Sequence, residues 1–254
     1  MKLIRKDNDS LLPWIHTVPS EWTITRIDSV ADVHFSNVDK HSHDDEKEVL
    51  LCNYVDVYKN DDITAVIDFM QATAEQREIE KFQLKKGDVL VTKDSEEPDD
   101  IAIPALVTED LPGVICGYHL AMIRTRSKRI TGEFLAWLHR SKQFRAQYEA
   151  KAVGVTRFGL SQYAFRSALI PLPPIAEQIR ICEFLRVTCA AIDAVAYVDT
   201  RKNGLSAKEG ILNRQMKALA AYRNSLITEC VTGQRRITDQ DFERVGRYAE
   251  TAAA

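Results

Sequence analysis

At 254 residues, with 45% hydrophobic and 28% charged residues, the sequence has room for one large globular domain, or for a domain plus an accessory element. No apolar run approaches the roughly 20 residues that span a bilayer. The start Met1-Lys2-Leu3-Ile4-Arg5-Lys6-Asp7 lacks the apolar core of a signal peptide, so a cytoplasmic protein without a membrane partner is expected.

The net charge of −3 conceals a segregated block. Between 124 and 166 stand Arg124, Arg126, Lys128, Arg129, Arg140, Lys142, Arg145, Lys151, Arg157 and Arg166, against the acids Glu133 and Glu149. Such a block suits a polyanion surface, and equally a solvated helix face. The cysteines Cys52, Cys116, Cys182, Cys189 and Cys230 form no C-x-x-C pair, which argues against a zinc ribbon or a disulfide framework.

Residues 14–22 read as an aromatic-anchored loop. The stretch 23–35 alternates loosely, as strand or helical turn, and 34–48 is polar and loop-like. Residues 49–58 are rich in strand formers, and 68–80 have a helix-favouring composition. The run 82–92 predicts strand, Gly-Asp turn, strand. A charged loop follows over 94–100, then strand-like runs over 101–107 and 113–125. Residues 130–148 predict an amphipathic helix with Phe134, Leu135, Trp137, Leu138 and Phe144 on one side. A turn at 154–159 leads to an extended run over 163–172. Together these make a mixed, mostly β, α+β domain over 1–170, without internal repeats.

The stretch Pro171-Leu172-Pro173-Pro174 forbids helix through the junction, yet a proline just inside a helix start is tolerated, so Pro173-Pro174 launches a long helix. Ile175, Cys182, Cys189 and Ala196 fall seven apart, with Leu185 and Ile192 at complementary positions. After Asn203-Gly204 and Gly210, a second seam carries Leu205, Leu212, Leu219 and Leu226 and stops at Thr232-Gly233. Sustained heptads call for a partner helix, in this chain or another, in preference to helices lying on their own domain. Gln178, Gln215 and Arg223 suit register-setting. This gives a helical spacer over 171–234 and a tail over 235–254. Unbroken, 174–233 would extend about 90 Å at roughly 1.5 Å per residue, and one turn-back at Gly204 leaves rods of about 40 Å.

No P-loop, no Asn/Asp-Pro-Pro-aromatic methyltransferase tetrapeptide and no G-x-S-x-G elbow is present. His34, His41 and His43 with Asp39, Asp44 and Asp45 match no metal-ligand spacing. Pro98-Asp99 with Glu149-Ala150-Lys151 imitates a nuclease metal site, but Glu149 follows a helical pattern where a strand is needed. No catalytic residue, metal or cofactor is expected.

Taken together, Trp14-Ile15, Val18-Pro19-Ser20-Glu21-Trp22, Leu84-Lys85-Lys86-Gly87-Asp88-Val89-Leu90-Val91-Thr92-Lys93, Pro171-Leu172-Pro173-Pro174-Ile175-Ala176-Glu177-Gln178, and Tyr222-Arg223-Asn224-Ser225-Leu226-Ile227-Thr228-Glu229 with Val231-Thr232-Gly233 resemble the specificity (S) subunit of type I restriction-modification systems. The resemblance implies a non-catalytic target-recognition domain that reads one half of a split site in double-stranded DNA. It also implies a helical region that spaces two such domains and docks the methyltransferase (M) and restriction (R) subunits. The usual subunit holds two domain-plus-helix units, so this chain looks like a half-subunit that pairs with a second copy or another half. The stretch 197–210 departs from the family's more continuous helix, which leaves the spacer length open. A self-contained nuclease on Asp99, Glu149 and Lys151, or an antirestriction half-subunit, is the alternative.

DNA reading needs phosphate contacts for affinity and base-edge contacts for specificity. Arg124 and Arg126, within the basic block, suit the first. For the second, the candidates are Lys93, Asp94 and Ser95 on one loop, and Thr156 and Arg157 between Gly154 and Gly159 on another. Arg157 suits a bidentate contact with guanine, or else an ordinary ion pair with a carboxylate. Tyr118 and His119 complete the set. The seam residues Ile175, Cys182, Leu185, Cys189, Ile192, Leu205, Leu212, Leu219 and Leu226 are the candidate partner-helix contacts.

Overall fold

The computed structural model describes residues 3–4, 17–202 and 209–245; side chains of the long helices are described up to 194 and from 215. Trp14, Asn203-Gly204 and Leu205 lie outside the described residues, as do the side chains of Ala196 and Leu212. In chain order the elements are β1 (Leu3–Ile4), β2 (Val18–Pro19), β3 (Thr23–Arg26), β4 (Ala31–Phe35), β5 (Lys47–Cys52), α1 (Tyr54–Lys59), β6 (Asp62–Ile63), β7 (Met70–Ala74) and α2 (Gln76–Phe82). Then come β8 (Val89–Thr92), β9 (Asp94–Ser95), β10 (Pro104–Val107), β11 (Val114–Cys116), β12 (Leu120–Thr125), α3 (Gly132–Arg140) and α4 (Lys142–Glu149). The chain continues through β13 (Phe158–Gly159), α5 (Gln162–Arg166), β14 (Leu169–Leu172), α6 (Ile175–Lys202) and α7 (Glu209–Val231).

A five-stranded sheet, ordered β4-β12-β8-β10-β6, separates two cores. It is antiparallel except for the β10/β6 pair. Period-two alternation divides its side chains between the faces. Val89, Val91, Ala121 and Ile123 face the helices, among Phe134, Leu135, Phe144 and Phe165. Leu90, Ala105, Leu120 and Met122 face the other way, onto Leu51, Phe82, Leu84 and Ile115 beneath the three-stranded sheet β11-β5-β7. The five cysteines are free and buried, as small apolar fillers of these cores.

Four stretches differ from their sequence-based expectations, each for a local reason. The strand-forming run 49–58 stops at Cys52, because Asn53 and Asp56 form a capping box, with the Asn53 N–H donating to Asp56 Oδ2 at 2.7 Å, and α1 begins. Residues 68–80 split into strand β7 and helix α2, divided by the Glu75–Glu78 capping box. Helix α2 extends to Phe82, so of the predicted hairpin over 82–92 only β8 is a strand. The single helix expected over 130–148 is two helices, because Ser141 takes extended geometry and its hydroxyl accepts from the Phe144 N–H at 3.3 Å, capping α4. Smaller elements refine the loops: β9 and a 3-10 turn at Pro98–Asp100 within 94–100, and α5 ahead of β14 within 163–172.

Between α3 and α4, His139 is fully buried, its Nδ1 on Leu135 O at 2.8 Å and its Nε2 on the Tyr148 hydroxyl at 3.0 Å. Burial drives its pKa down to about 4, aided by the Arg145 charge and opposed by the Leu135 contact. The folded-state value lies below the unfolded one, about 6.5, so the unfolded chain binds more protons between the two. This stabilisation is complete above about pH 6.5 and is lost as pH falls toward 4. The urea midpoint should therefore drop between pH 7 and pH 4.5, and His139→Gln should flatten the drop. An unchanged slope in that variant would place the dependence elsewhere.

Three of the segments that carried the family resemblance, residues 18–22, residues 171–178 and the end of α7 with Gly233, meet at one joint. Strand β14 pairs with β3, Leu172 opposite Thr23, which brings the proline junction beside Trp22. The Trp22 indole N–H donates to Glu177 Oε2 at 2.8 Å. Gln178, fully buried, accepts from the Thr131 N–H at 3.0 Å and donates to Arg129 O at 2.7 Å and Pro173 O at 2.9 Å. At the far end of α7, Gly233 has φ +74, and a Cβ there would run into the Pro19 ring.

Helices α6 and α7 pack against one another and both pack on α3. The first turns of α6 and the last turns of α7 (Cys182, Leu185, Leu226, Ile227) share one core with Phe134 and Leu135, so the chain runs out along α6 and returns along α7. Arg223 fixes that register, pairing with Asp193 on α6 at 3.5 Å and with Asp61, just ahead of β6, at 2.8 Å. The first turns of α6 and the last turns of α7 therefore lie on the chain's own domain, the arrangement the heptads disfavoured: the seam is apolar enough to bury against α3. Within the expected tail, Ile237 and Val245 are buried, and Phe242 packs edge-on against Phe184 of α6.

Candidate nucleic-acid interface

Candidates from three separate stretches come together on one exposed edge. Lys93 follows β8 directly, and its N–H donates to His119 O at 3.1 Å. Strand β9 pairs with β13, Asp94 opposite Gly159 and Ser95 opposite Phe158, which draws the glycine-bounded loop alongside. Tyr118 and His119 sit in the turn between β11 and β12.

Asp94 is the hub. Its Oδ1 accepts from Arg157 Nε at 3.1 Å and Nη2 at 2.5 Å, and its Oδ2 lies 2.8 Å from His119 Nδ1. Tyr118 crosses the His119 ring edge-on, 4.8 Å between centroids. The Lys93 ammonium lies 4.4 Å from the Tyr118 ring centre and 5.0 Å from that of Phe35, and donates to Ser36 O at 3.3 Å. Burial lowers the Lys93 pKa, opposed by the Asp94 charge. Thr156 stands exposed beside Arg157, whereas Ser95 is buried.

Phe35, Tyr54 and Tyr58 belong to this edge and escaped the sequence reading. Tyr54 engages Ser95, and burial raises its phenol above the ordinary range. It stacks on Tyr58 at 5.6 Å and 14°, and the Tyr58 hydroxyl donates to Asp100 Oδ2 at 2.8 Å. The available signal was the Asn53/Asp56 capping box, which turns the four-residue spacing of the tyrosines into one helix face.

The remaining candidates lie apart from this edge. Arg124 is half-buried and holds Asp88 through two bonds, Nε to Oδ1 at 2.7 Å and Nη2 to Oδ2 at 2.6 Å. Arg126 is exposed and pairs with Asp32 at 3.2 Å. The basic block does not form one face: Arg140 and Arg145 are buried, and Arg145 donates to the His139 and Arg140 carbonyls. Among the described residues, no group of three or more His, Cys, Asp or Glu side chains could hold a metal. Asp99 is exposed, and Lys151 donates to the Ser167 hydroxyl at 3.0 Å.

Of the seam residues, Cys182, Leu185, Cys189 and Leu226 are buried, and Ile192 packs against the same core. Ile175 and Leu219 are half-buried, and Gln215 is exposed. Among the described residues, no helix is long and apolar enough to cross a membrane.

The family model described as the type I restriction modification DNA specificity domain matches residues 19–195. The chain belongs to that family. The match covers the exposed edge, the proline junction and most of α6. Among solved structures, the chain is similar to the HsdS subunit from Thermoanaerobacter tengcongensis, with 22% identity and a TM-score of 0.50 over 72% of this chain and 46% of that one. A second match is the type I restriction-modification system S subunit from M. genitalium, with 17% identity and a TM-score of 0.44 over 80% and 46% of the two chains. A third comes from a structural study of the assembly and conformational transition of the type I R-M system, with 16% identity and a TM-score of 0.46 over 86% and 47%. The specificity domain and its helices thus span about half the length of these chains. No curated protein sequence matches.

Proposed function

We propose that this chain is the DNA sequence-recognition component of a type I restriction-modification complex, reading one half of a bipartite site in double-stranded DNA. The observation that carries the reading is the convergence of Lys93, Asp94, Tyr118, His119 and Arg157 on one edge. It sets a cation, mixed donors and acceptors and aromatic faces side by side, the chemistry of phosphate positioning and base-edge readout. Methyl transfer and cleavage belong to partner subunits. The methyltransferase and restriction subunits dock along α6 and α7, and two copies, or this chain and another half, set two readers on one duplex. Helix α6, with 28 residues, is about 42 Å long at roughly 1.5 Å per residue. That exceeds one turn of DNA, about 34 Å, which suits two half-sites separated by unread base pairs.

Methylome sequencing of cells expressing this chain with a cognate methyltransferase subunit tests the proposal. The expected result is adenine methylation at a gapped motif that disappears when either gene is omitted. A palindromic motif indicates two identical copies, and an asymmetric one a second half. Methyl transfer by this chain alone would overturn the assignment, and a single copy by light scattering of the methyltransferase complex would overturn the pairing.

A further inference from the structure

We propose that Asp94 is a positioning residue that presents Arg157 to one guanine of the recognised half-site. The inference rests on the DNA-recognition reading above. A guanidinium has two usable edges, side-on (Nε, Nη2) and end-on (Nη1, Nη2). In this structure Asp94 occupies the side-on edge, both contacts falling on Oδ1, and Nη2 also lies 3.5 Å from His119 Nδ1. Nη1 makes no hydrogen bond among the described residues, and the Arg157 side chain is 52% exposed against 15% for Asp94. The carboxylate thus sits in the wall of the protein while half of the arginine side chain is exposed, with Nη1, on the end-on edge, unengaged. That edge matches the O6 and N7 acceptors of guanine in the major groove, the pairing by which arginine distinguishes guanine from the other bases.

The ion pair that could retire Arg157 as an ordinary surface salt bridge instead removes its rotamer freedom before DNA arrives. Ordering a long side chain in advance lowers the cost of binding. The support behind Asp94 is itself built: Oδ2 is held by His119, and the backbone of β9 is fixed by its pairing with β13, the strand that follows Arg157. Lys93 differs. Its ammonium is a compact charge over two ring faces, suited to a phosphate and indifferent to sequence.

Selection from a randomised-sequence duplex library, using the full chain bound to its methyltransferase subunit, separates these roles. Wild type should enrich a motif containing a fixed G·C position. Arg157→Lys should relax that one position by about tenfold or more, leaving the rest of the motif intact. Asp94→Ala and the better-packed Asp94→Asn should relax the same position, although neither residue carries the contact itself. Lys93→Met should weaken binding evenly across sequences and reduce the salt slope by about one unit. An unchanged motif in folded Asp94 and Arg157 variants overturns the inference and leaves the recognition reading standing. Uniform weakening in Arg157→Lys also overturns it, because a phosphate contact behaves so. Absence of any enriched motif with wild type overturns the recognition reading and this inference together.

Discussion

Arg124→Ala is expected to lower the unfolding free energy by about 3 kcal/mol, the lower end of the range for breaking a buried ion pair. The Asp88 side chain is only 2% exposed, and both its oxygens are held by Arg124. One of them also accepts from the Lys85 N–H at 2.8 Å, closing the turn into β8. Removing the guanidinium leaves a carboxylate buried against Lys85 alone and frees Gln83 O, which Arg124 Nη2 holds at 2.8 Å. The lower end applies because Arg124 is 26% exposed, so water can reach the cavity. Urea unfolding at pH 7 reads the effect, and Asp88→Asn, which loses the charge but keeps the shape, should cost less. The folded variant should bind duplex DNA with the wild-type salt slope. Full stability with a reduced slope would return Arg124 to the phosphate contacts that the basic block suggested.

Gln178→Leu should destabilise the chain by a similar amount, about 3 kcal/mol, through a different route. Leucine fills the volume but strands the Thr131 N–H and the Arg129 and Pro173 carbonyls, each worth about 1 kcal/mol or more when buried without a partner. Thr131 caps α3, its hydroxyl accepting from the Phe134 N–H at 3.1 Å, so the damage spreads to the helix on which α6 and α7 rest. The melting temperature should fall, and limited proteolysis should cut the chain near the proline junction before it cuts the β core. Wild-type resistance to cleavage there would mean that strand β14, paired with β3, holds the junction without the glutamine.

Where local chemistry decides the outcome, the sequence was legible. The two faces of β8 and β12 follow period-two alternation, and the launch of α6 follows from Pro173-Pro174. The α+β division and the family resemblance rest on the same signals. The misread stretches turn on single polar residues, since Asn53, Glu75 and Ser141 each divert a run whose composition or periodicity suggested one continuous element. The site was legible as three loops, but their juxtaposition was not. Asp94 and Arg157 are 63 residues apart, and only the β9–β13 pairing closes that distance. Nor could the basic block be sorted in advance, because the buried carboxylate that Arg124 holds and the exposed one that Arg126 holds are brought there by the fold.

The joint and the reading edge share no hydrogen bond among the described residues: Trp22, Glu177, Gln178 and Gly233 hold one end, while Asp94, His119 and Arg157 hold the other. On the proposed reading, a change of recognised sequence can therefore arise in the turns at 117–119 and 154–157 while the joint between the β domain and its helices stays as it is.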